Sequence, residues 1–149
     1  MLIPWQQANV IINVTQEKVL VRLTDYDLAS IWHEPLIYMS DVTEHWRWLA
    51  PEMIRNSCVS LSVDVFAFAM LAVEVFTGNH PFPEIKNNIE VLLAILAGNR
   101  PARPTNIPDD VWELVEKCWN ANLGARPKIG KVVEGLKHYA GKSIISRLF

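Results

Sequence analysis

The pattern of apolar and polar positions changes once along the chain, near residue 50. Before that point two runs rich in β-branched residues, "NVIINV" and "VLVRLT", are separated by the polar "TQEK". Branched residues in short runs with a polar break between them are typical of two strands joined as a hairpin. Residues 31–45 show no clear period, and we interpret them as an ordered loop.

After residue 50 the apolar positions recur with helical spacing. The segment from Val63 to Thr77 is apolar on almost every side and is followed by Gly78, which predicts a buried central helix that ends at the glycine. Further helices are predicted for the segment opened by Pro51, residues 88–97, the segment opened by Pro108 and the segment opened by Pro127. The predicted fold is therefore mainly α, a short β-hairpin followed by a bundle of about five helices, in one domain over residues 1–149.

The composition agrees with one globular domain. Apolar residues make up 50% of the 149 residues and charged residues 20%, as in a chain with a packed core. The formal net charge of -2 argues against a surface for nucleic acid or an anionic membrane. The longest apolar stretch, residues 63–76, is too short to cross a bilayer and carries Asp64 and Glu74. We therefore predict neither a nucleic-acid partner nor a membrane partner.

Two features predict an intracellular, cytoplasmic protein. Cys58 and Cys118 form no CxxC pair and have no histidine cluster nearby, which argues against a disulfide framework and a structural zinc site. Such cysteine usage fits a reducing compartment. The opening residues, "MLIPWQQANV", lack the basic start and the apolar core of a secretory signal.

Several polar residues have a plain structural interpretation when each is taken alone. Asp25 lies where the second strand ends, and acids are common in turns. Asp64 suits the cap of the central helix, and Glu52 and Arg126 suit an ordinary surface. The six tryptophans suit the core. On residue type alone, structural roles are more typical of these residues than chemical ones.

The order of five short segments along the chain indicates more than the single residues do. Along the chain these segments are "ANVIINV", "LTDYDLAS", "RWLAPEMI", "SVDVFAFAMLAVEVFTGNHPF" and "CWNANLGARPKI". Together they resemble the C-terminal lobe of the protein kinase superfamily, and the tyrosine-kinase-like branch is the most similar. The resemblance runs from about Ala8 to about Tyr139. Each segment is a weak signal by itself, but five in the family's order are specific.

The resemblance implies Mg-ATP as the cofactor. Asp25 stands where the D-F-G aspartate of the family binds magnesium on the ATP phosphates, and Asn9 stands where an asparagine holds a second magnesium. Oxygen ligands of this kind suit magnesium. Tyr26 corresponds to the aromatic residue that packs beside the metal ligand. The family's activity is transfer of the γ-phosphoryl group of ATP to a serine, threonine or tyrosine hydroxyl of a protein.

The resemblance also implies structural roles for three charged residues. Glu52 of the "APE" motif would pair with Arg126 and anchor the activation segment to the helical lobe. Asp64, at the start of the central helix, would accept backbone N–H groups of the catalytic loop and hold that loop in place.

The sequence departs from the family's pattern at the catalytic base. Pro4 stands five residues before Asn9, where the family has an aspartate, and proline has no carboxylate to accept the substrate's proton. Asp27 replaces the D-F-G glycine and adds negative charge beside the metal ligand. No glycine-rich phosphate loop and no ATP-binding lysine precede these segments. We therefore expect a chain that lacks the N-terminal lobe and is inactive by itself.

Three interpretations follow from these departures. The sequence is a truncated form whose upstream part supplies the N-terminal lobe, or a pseudokinase-type half-domain that binds a protein as a scaffold, or a decayed copy without activity. His45 stands where many serine/threonine kinases have a threonine that contacts the catalytic aspartate. Asp27 and His45 both lie inside the region of resemblance, so they favour an inactive protein in each case. The substrate, the partner and the preference for serine/threonine or tyrosine stay open.

Overall fold

The computed structural model describes residues 10–14, 19–24 and 43–145. The first two of these segments form the strands β1 (Val10–Val14) and β2 (Val19–Leu23), which pair antiparallel. In this register Val10 faces Leu23 and Ile12 faces Val21. The predicted hairpin is confirmed.

The remainder of the described chain is mostly helical. A first 3₁₀ helix spans Thr43–Trp48 and a second one spans Leu123–Ala125. The α-helices are α1 (Pro51–Asn56), α2 (Leu61–Thr77), α3 (Asn88–Leu96), α4 (Asp109–Cys118) and α5 (Ile129–Ile145). The prediction of a mainly α fold, a hairpin followed by five helices, is confirmed.

The core is built around α2. Phe66 and Met70 of this helix are completely buried, and so are Val91 of α3 and Val115 of α4. The helix ends at Gly78, whose φ of 67° places it in the left-handed region that glycine adopts without strain. The Gly78 N–H donates to the carbonyl of Glu74 at 2.7 Å and so satisfies one of the last carbonyls of the helix.

The structure differs from the sequence prediction in the details of several elements. The end of the predicted loop over residues 31–45 is wrong, because residues 43–45 belong to the first 3₁₀ helix. α2 begins two residues earlier than predicted, at Leu61, and α5 continues to Ile145. The predicted burial of residues 63–77 is also wrong at Val75, which is 63% exposed, and Leu61, in the turn added before them, is 79% exposed.

Three of the four described tryptophans lie in the core as predicted, and the fourth, Trp46, is half-buried against it. Trp48, Trp112 and Trp119 are buried, and the last two form an edge-to-face pair with ring centroids 5.3 Å apart. Cys58 and Cys118 are both free thiols, the first exposed and the second buried. Within residues 10–14, 19–24 and 43–145, no helix combines the length and the hydrophobicity that a bilayer crossing requires.

Candidate functional site

A buried ion pair joins two residues that lie 74 positions apart. Arg126 Nη1 donates to Glu52 Oε1 at 2.6 Å and Arg126 Nη2 donates to Glu52 Oε2 at 3.0 Å. This two-pronged geometry is the strongest that a guanidinium and a carboxylate form. The two side chains are 0% and 10% exposed, so the interpretation of Glu52 and Arg126 as ordinary surface charges is wrong. The structure brings together the two residues that the sequence resemblance pairs.

Arg126 links further elements through its remaining N–H groups. Its Nη1 also donates to the carbonyl of Ser62 at 2.8 Å, and its Nε donates to the carbonyl of Asn120 at 2.8 Å. One side chain therefore connects α1, the start of α2 and the segment that leads to α5. Because every contact is directional, the pair fixes the position of these elements and does more than neutralise charge.

A second arginine lies beside the ion pair. The guanidinium carbons of Arg100 and Arg126 lie 5.0 Å and 5.1 Å from the centroid of the Phe66 ring, within the range of cation–π attraction. Arg100 Nε and Nη2 donate to the carbonyl of Trp119 at 3.2 Å and 3.1 Å. Burial lowers the pKa of Arg100, repulsion from Arg126 lowers it further, and Glu52 opposes the shift. Arg100 nevertheless stays charged, as arginine does in proteins.

Asp64 lies at the edge of an open groove near this cluster. The groove has a volume of about 670 Å³. Its wall contains apolar Leu61 and Ile129 and polar Ser62, Asp64 and Lys128. The N-cap of α2 is Ser60, so the interpretation of Asp64 as the cap is wrong, and Asp64 is a half-buried residue of the first turn. The catalytic loop that Asp64 is expected to hold lies outside the described residues, and that role stays a prediction.

A buried carboxylate that sequence reasoning left unassigned lies near the other end of α2. Glu74 is 3% exposed, and its Oε2 accepts a hydrogen bond from Trp48 Nε1 at 3.1 Å. His80 Nδ1 lies 3.4 Å from Glu74 Oε1, and the rings of Trp48 and His80 meet edge to face at 5.5 Å. The sequence signals that Glu74 has a partner but not which residue that partner is. An acid inside an otherwise apolar helix requires a buried partner.

Another buried charged residue that sequence reasoning missed is Arg47, which is 8% exposed. Its Nη1 donates to the carbonyls of Pro81 and Phe82, each at 2.8 Å, and its Nη2 donates to the carbonyl of Ile85 at 2.7 Å. Its Nε donates to Asn88 Oδ1 at 2.9 Å. Burial lowers the pKa of Arg47, and Glu84 opposes that shift. The residue type carries no sequence signal for these contacts, because three of its acceptors are backbone carbonyls.

The residues expected at the phosphoryl-transfer centre are Pro4, Asn9, Asp25 and Tyr26, and all four lie outside the described residues. Among the residues that the structure describes, no group of three or more His, Cys, Asp or Glu side chains is placed to hold a metal ion. Magnesium binding by Asn9 and Asp25 therefore stays a prediction. The described part of the site consists of the Glu52–Arg126 pair, the Phe66 ring, Asp64 and the adjacent groove.

Comparison with known proteins identifies the class to which this arrangement belongs. The family model described as protein tyrosine and serine/threonine kinase matches residues 7–136. This chain belongs to the protein kinase family.

Individual relatives place the chain near the tyrosine-kinase branch. It is 33% identical over 129 residues to human platelet-derived growth factor receptor beta, which covers 85% of the chain and 12% of the receptor. It is 33% identical over 99 residues to the proto-oncogene tyrosine-protein kinase ROS of Rattus norvegicus, covering 66% of the chain and 4% of that protein. A light-sensor protein kinase of Ceratodon purpureus is 31% identical over 137 residues, covering 80% of the chain and 10% of that protein. The chain therefore spans about an eighth or less of the length of these relatives.

Proposed function

We propose that this chain is a kinase-family C-terminal lobe that does not transfer phosphate by itself and that acts by binding another protein. The sequence supports the first half of the proposal, because Pro4 occupies the position of the catalytic base and offers no proton acceptor. The structure supports the second half through an apolar surface on the hairpin and α2 that the rest of the described chain leaves exposed.

That surface, the open apolar face, consists of the exposed Ile12, Val21 and Val75, the half-buried Val10, and Leu71, of which 8% is accessible. Ile12 and Val21 are cross-strand partners on one side of the hairpin and are 59% and 61% exposed. Between the hairpin and α2 lies an open pocket of about 390 Å³, which is lined by Val10, Ile12, Leu71 and Val75. Contiguous exposed apolar area of this kind marks interaction surfaces in soluble proteins. This face is the observation that carries the proposal.

The compartment belongs to the same proposal. We infer an intracellular protein, and the free, exposed thiol of Cys58 supports that inference because exposed thiols persist in reducing surroundings.

Phosphoryl transfer is the second candidate function, and family membership favours it. It requires Mg-ATP on Asn9 and Asp25 and a group that replaces the missing base. The two candidates are distinguished by thermal unfolding of the full chain with and without Mg-ATP, since a ligand that binds the folded state raises the melting temperature. We expect no rise and no transfer of labelled phosphate to a mixed peptide substrate.

Two variants make this test specific. Asp25→Asn removes the expected metal ligand, and Pro4→Asp restores a carboxylate at the position of the base. If the wild-type chain gains stability with Mg-ATP and Asp25→Asn abolishes that gain, the chain binds nucleotide and the purely protein-binding role is wrong. If the wild-type chain also labels the peptide, the proposed lack of activity is wrong.

A further inference from the structure

The first 3₁₀ helix and α3 lie against each other, and one side chain crosses between them. Arg47 extends from the 3₁₀ helix to the loop that precedes α3 and to Asn88 at the first position of that helix. Its four hydrogen bonds all reach residues 34 to 41 positions further along the chain. The contact therefore joins two elements that the chain connects only through α1 and α2.

The loop that Arg47 contacts holds a strained residue. Phe82 has a φ of 57°, in the left-handed region that a non-glycine residue rarely adopts, and its side chain is 3% exposed. Such a conformation persists only where the surroundings hold it. Arg47 Nη1 binds the carbonyl of Phe82 and the carbonyl of the preceding residue, Pro81, so one guanidinium N–H pair holds both peptide groups around the strained position.

The remaining two contacts extend this hold to α3. The carbonyl of Ile85 accepts from Arg47 Nη2, and the Asn88 side chain accepts from Arg47 Nε. A planar guanidinium presents these N–H groups in one rigid fork, which a lysine ammonium cannot reproduce. If the Arg47 guanidinium moves away, the buried carbonyls lose a charged hydrogen-bond donor. The strained backbone of Phe82 loses the contacts that hold it at the same time.

We propose that Arg47 couples the first 3₁₀ helix to α3, so that the two elements open and close as one unit. Withdrawal of the Arg47 side chain releases both elements while α4 and α5 stay folded. Because α3 exposes Ile89 and Leu93, release moves an apolar surface as well as loosening the fold.

The test is hydrogen exchange of the full 149-residue chain, read segment by segment. In Arg47→Met we expect exchange to rise about tenfold both in residues 43–48 and in residues 88–96, while α4 and α5 change by less than about twofold. The matched control is Arg55→Met, because Arg55 also donates to α3, through the carbonyl of Leu96 at 2.7 Å, but makes that contact at the exposed surface. The control should not produce the joint rise.

Each outcome decides the proposal. A joint rise confined to the first 3₁₀ helix and α3 supports the coupling. An equal rise in every helix, or a rise in α3 alone, overturns it. If Arg47→Met does not fold, Asn88→Ala decides by the same criteria, because it removes a single contact and leaves the three carbonyl contacts in place. A joint rise in Asn88→Ala smaller than about tenfold supports the coupling, and exchange that rises equally everywhere or in α3 alone rejects it.

Discussion

The hairpin and the helical part of this chain differ in how much of their apolar side chains is buried. In the helical part α2 packs against α4 and the first 3₁₀ helix, and its Phe66 and Met70 are inaccessible to solvent. In the hairpin the paired residues Ile12 and Val21 are more than half exposed. A two-stranded hairpin is at best marginally stable by itself in water. The difference indicates that the helical part contains its own stabilising contacts, whereas the hairpin leaves apolar side chains exposed within the described part of the chain.

Charged residues show the same contrast. The helical part buries Glu52, Glu74, Arg47 and Arg126, and each has a partner that crosses between elements. On the hairpin, Arg22 is exposed and lies opposite Ile11. Buried charges with directional partners specify one arrangement of helices, because any other arrangement strands a charge. The kinase-family lobe therefore has a helical interior whose arrangement is fixed by buried charges. The described residues of the hairpin carry no buried charge that would fix its position in the same way.

The largest effect is expected from removing one partner of the buried ion pair. Arg126→Met leaves the Glu52 carboxylate buried without its cation and should lower the free energy of unfolding by about 3 to 5 kcal/mol in urea titrations. The control is Lys131→Met, which removes the solvent-exposed Lys131–Glu134 pair and should leave the urea midpoint unchanged. If both substitutions have equally small effects, the helical part does not depend on its buried charges. The double variant Glu52→Met/Arg126→Met should recover part of the loss, since no charge is then stranded.

The next prediction compares the two regions directly. Met70→Ala opens a cavity in the core and should lower the free energy of unfolding by about 2 to 5 kcal/mol. Ile12→Thr keeps a β-branched residue in the strand and should change the free energy of unfolding by less than about 0.5 kcal/mol, because the side chain is already exposed. Chemical denaturation of the two variants measures both values.

The same hairpin substitution tests the open apolar face. Ile12→Thr combined with Val21→Thr should reduce the binding of a hydrophobic dye and any self-association measured by light scattering. A stability loss for Ile12→Thr as large as that for Met70→Ala would mean that the hairpin face is covered in solution. The contrast between the two regions would then be wrong.

The last prediction concerns the pH dependence of stability. Burial raises the pKa of the Cys118 thiol to about 12, against an ordinary value of 9.0, and nearby Arg126 partly opposes the shift. The unfolded thiol therefore loses its proton at lower pH than the folded one. The stability that comes from keeping the Cys118 thiol protonated is fully present below pH 9 and is lost as the pH rises toward 12. The free energy of unfolding falls over this range by at most about 1.4 kcal/mol per pH unit.

Comparison of the wild-type chain with Cys118→Ala between pH 8 and pH 10.5 isolates this contribution, because lysines and tyrosines titrate in both proteins. The wild-type free energy of unfolding should fall more steeply with pH than that of the variant. A thiol reagent provides the accompanying check at neutral pH. It should label Cys58 in the folded chain and Cys118 only after unfolding, and equal labelling of both in the folded chain would show that α4 is not packed as described.

Much of this protein is readable from short-range patterns. Helical spacing, the glycine at position 78 and the prolines near helix starts predicted five helices, and two branched runs predicted the hairpin. The order of the kinase-like segments indicated the family and, through it, the pairing of Glu52 with Arg126. Such features depend on residues a few positions apart or on motifs that a family shares, so one sequence is enough to find them.

The tertiary structure alone decided which distant groups meet. Arg47 gives no sign in the sequence that it binds the carbonyls of Pro81, Phe82 and Ile85, and Glu74 gives no sign that Trp48 is its donor. The first 3₁₀ helix was also missed, because the partners that hold it lie beyond α2. The physical reason is the same in each case. Local periodicity determines which elements form, but backbone carbonyls look alike in every sequence, and only the packing of the elements selects which of them a buried cation reaches.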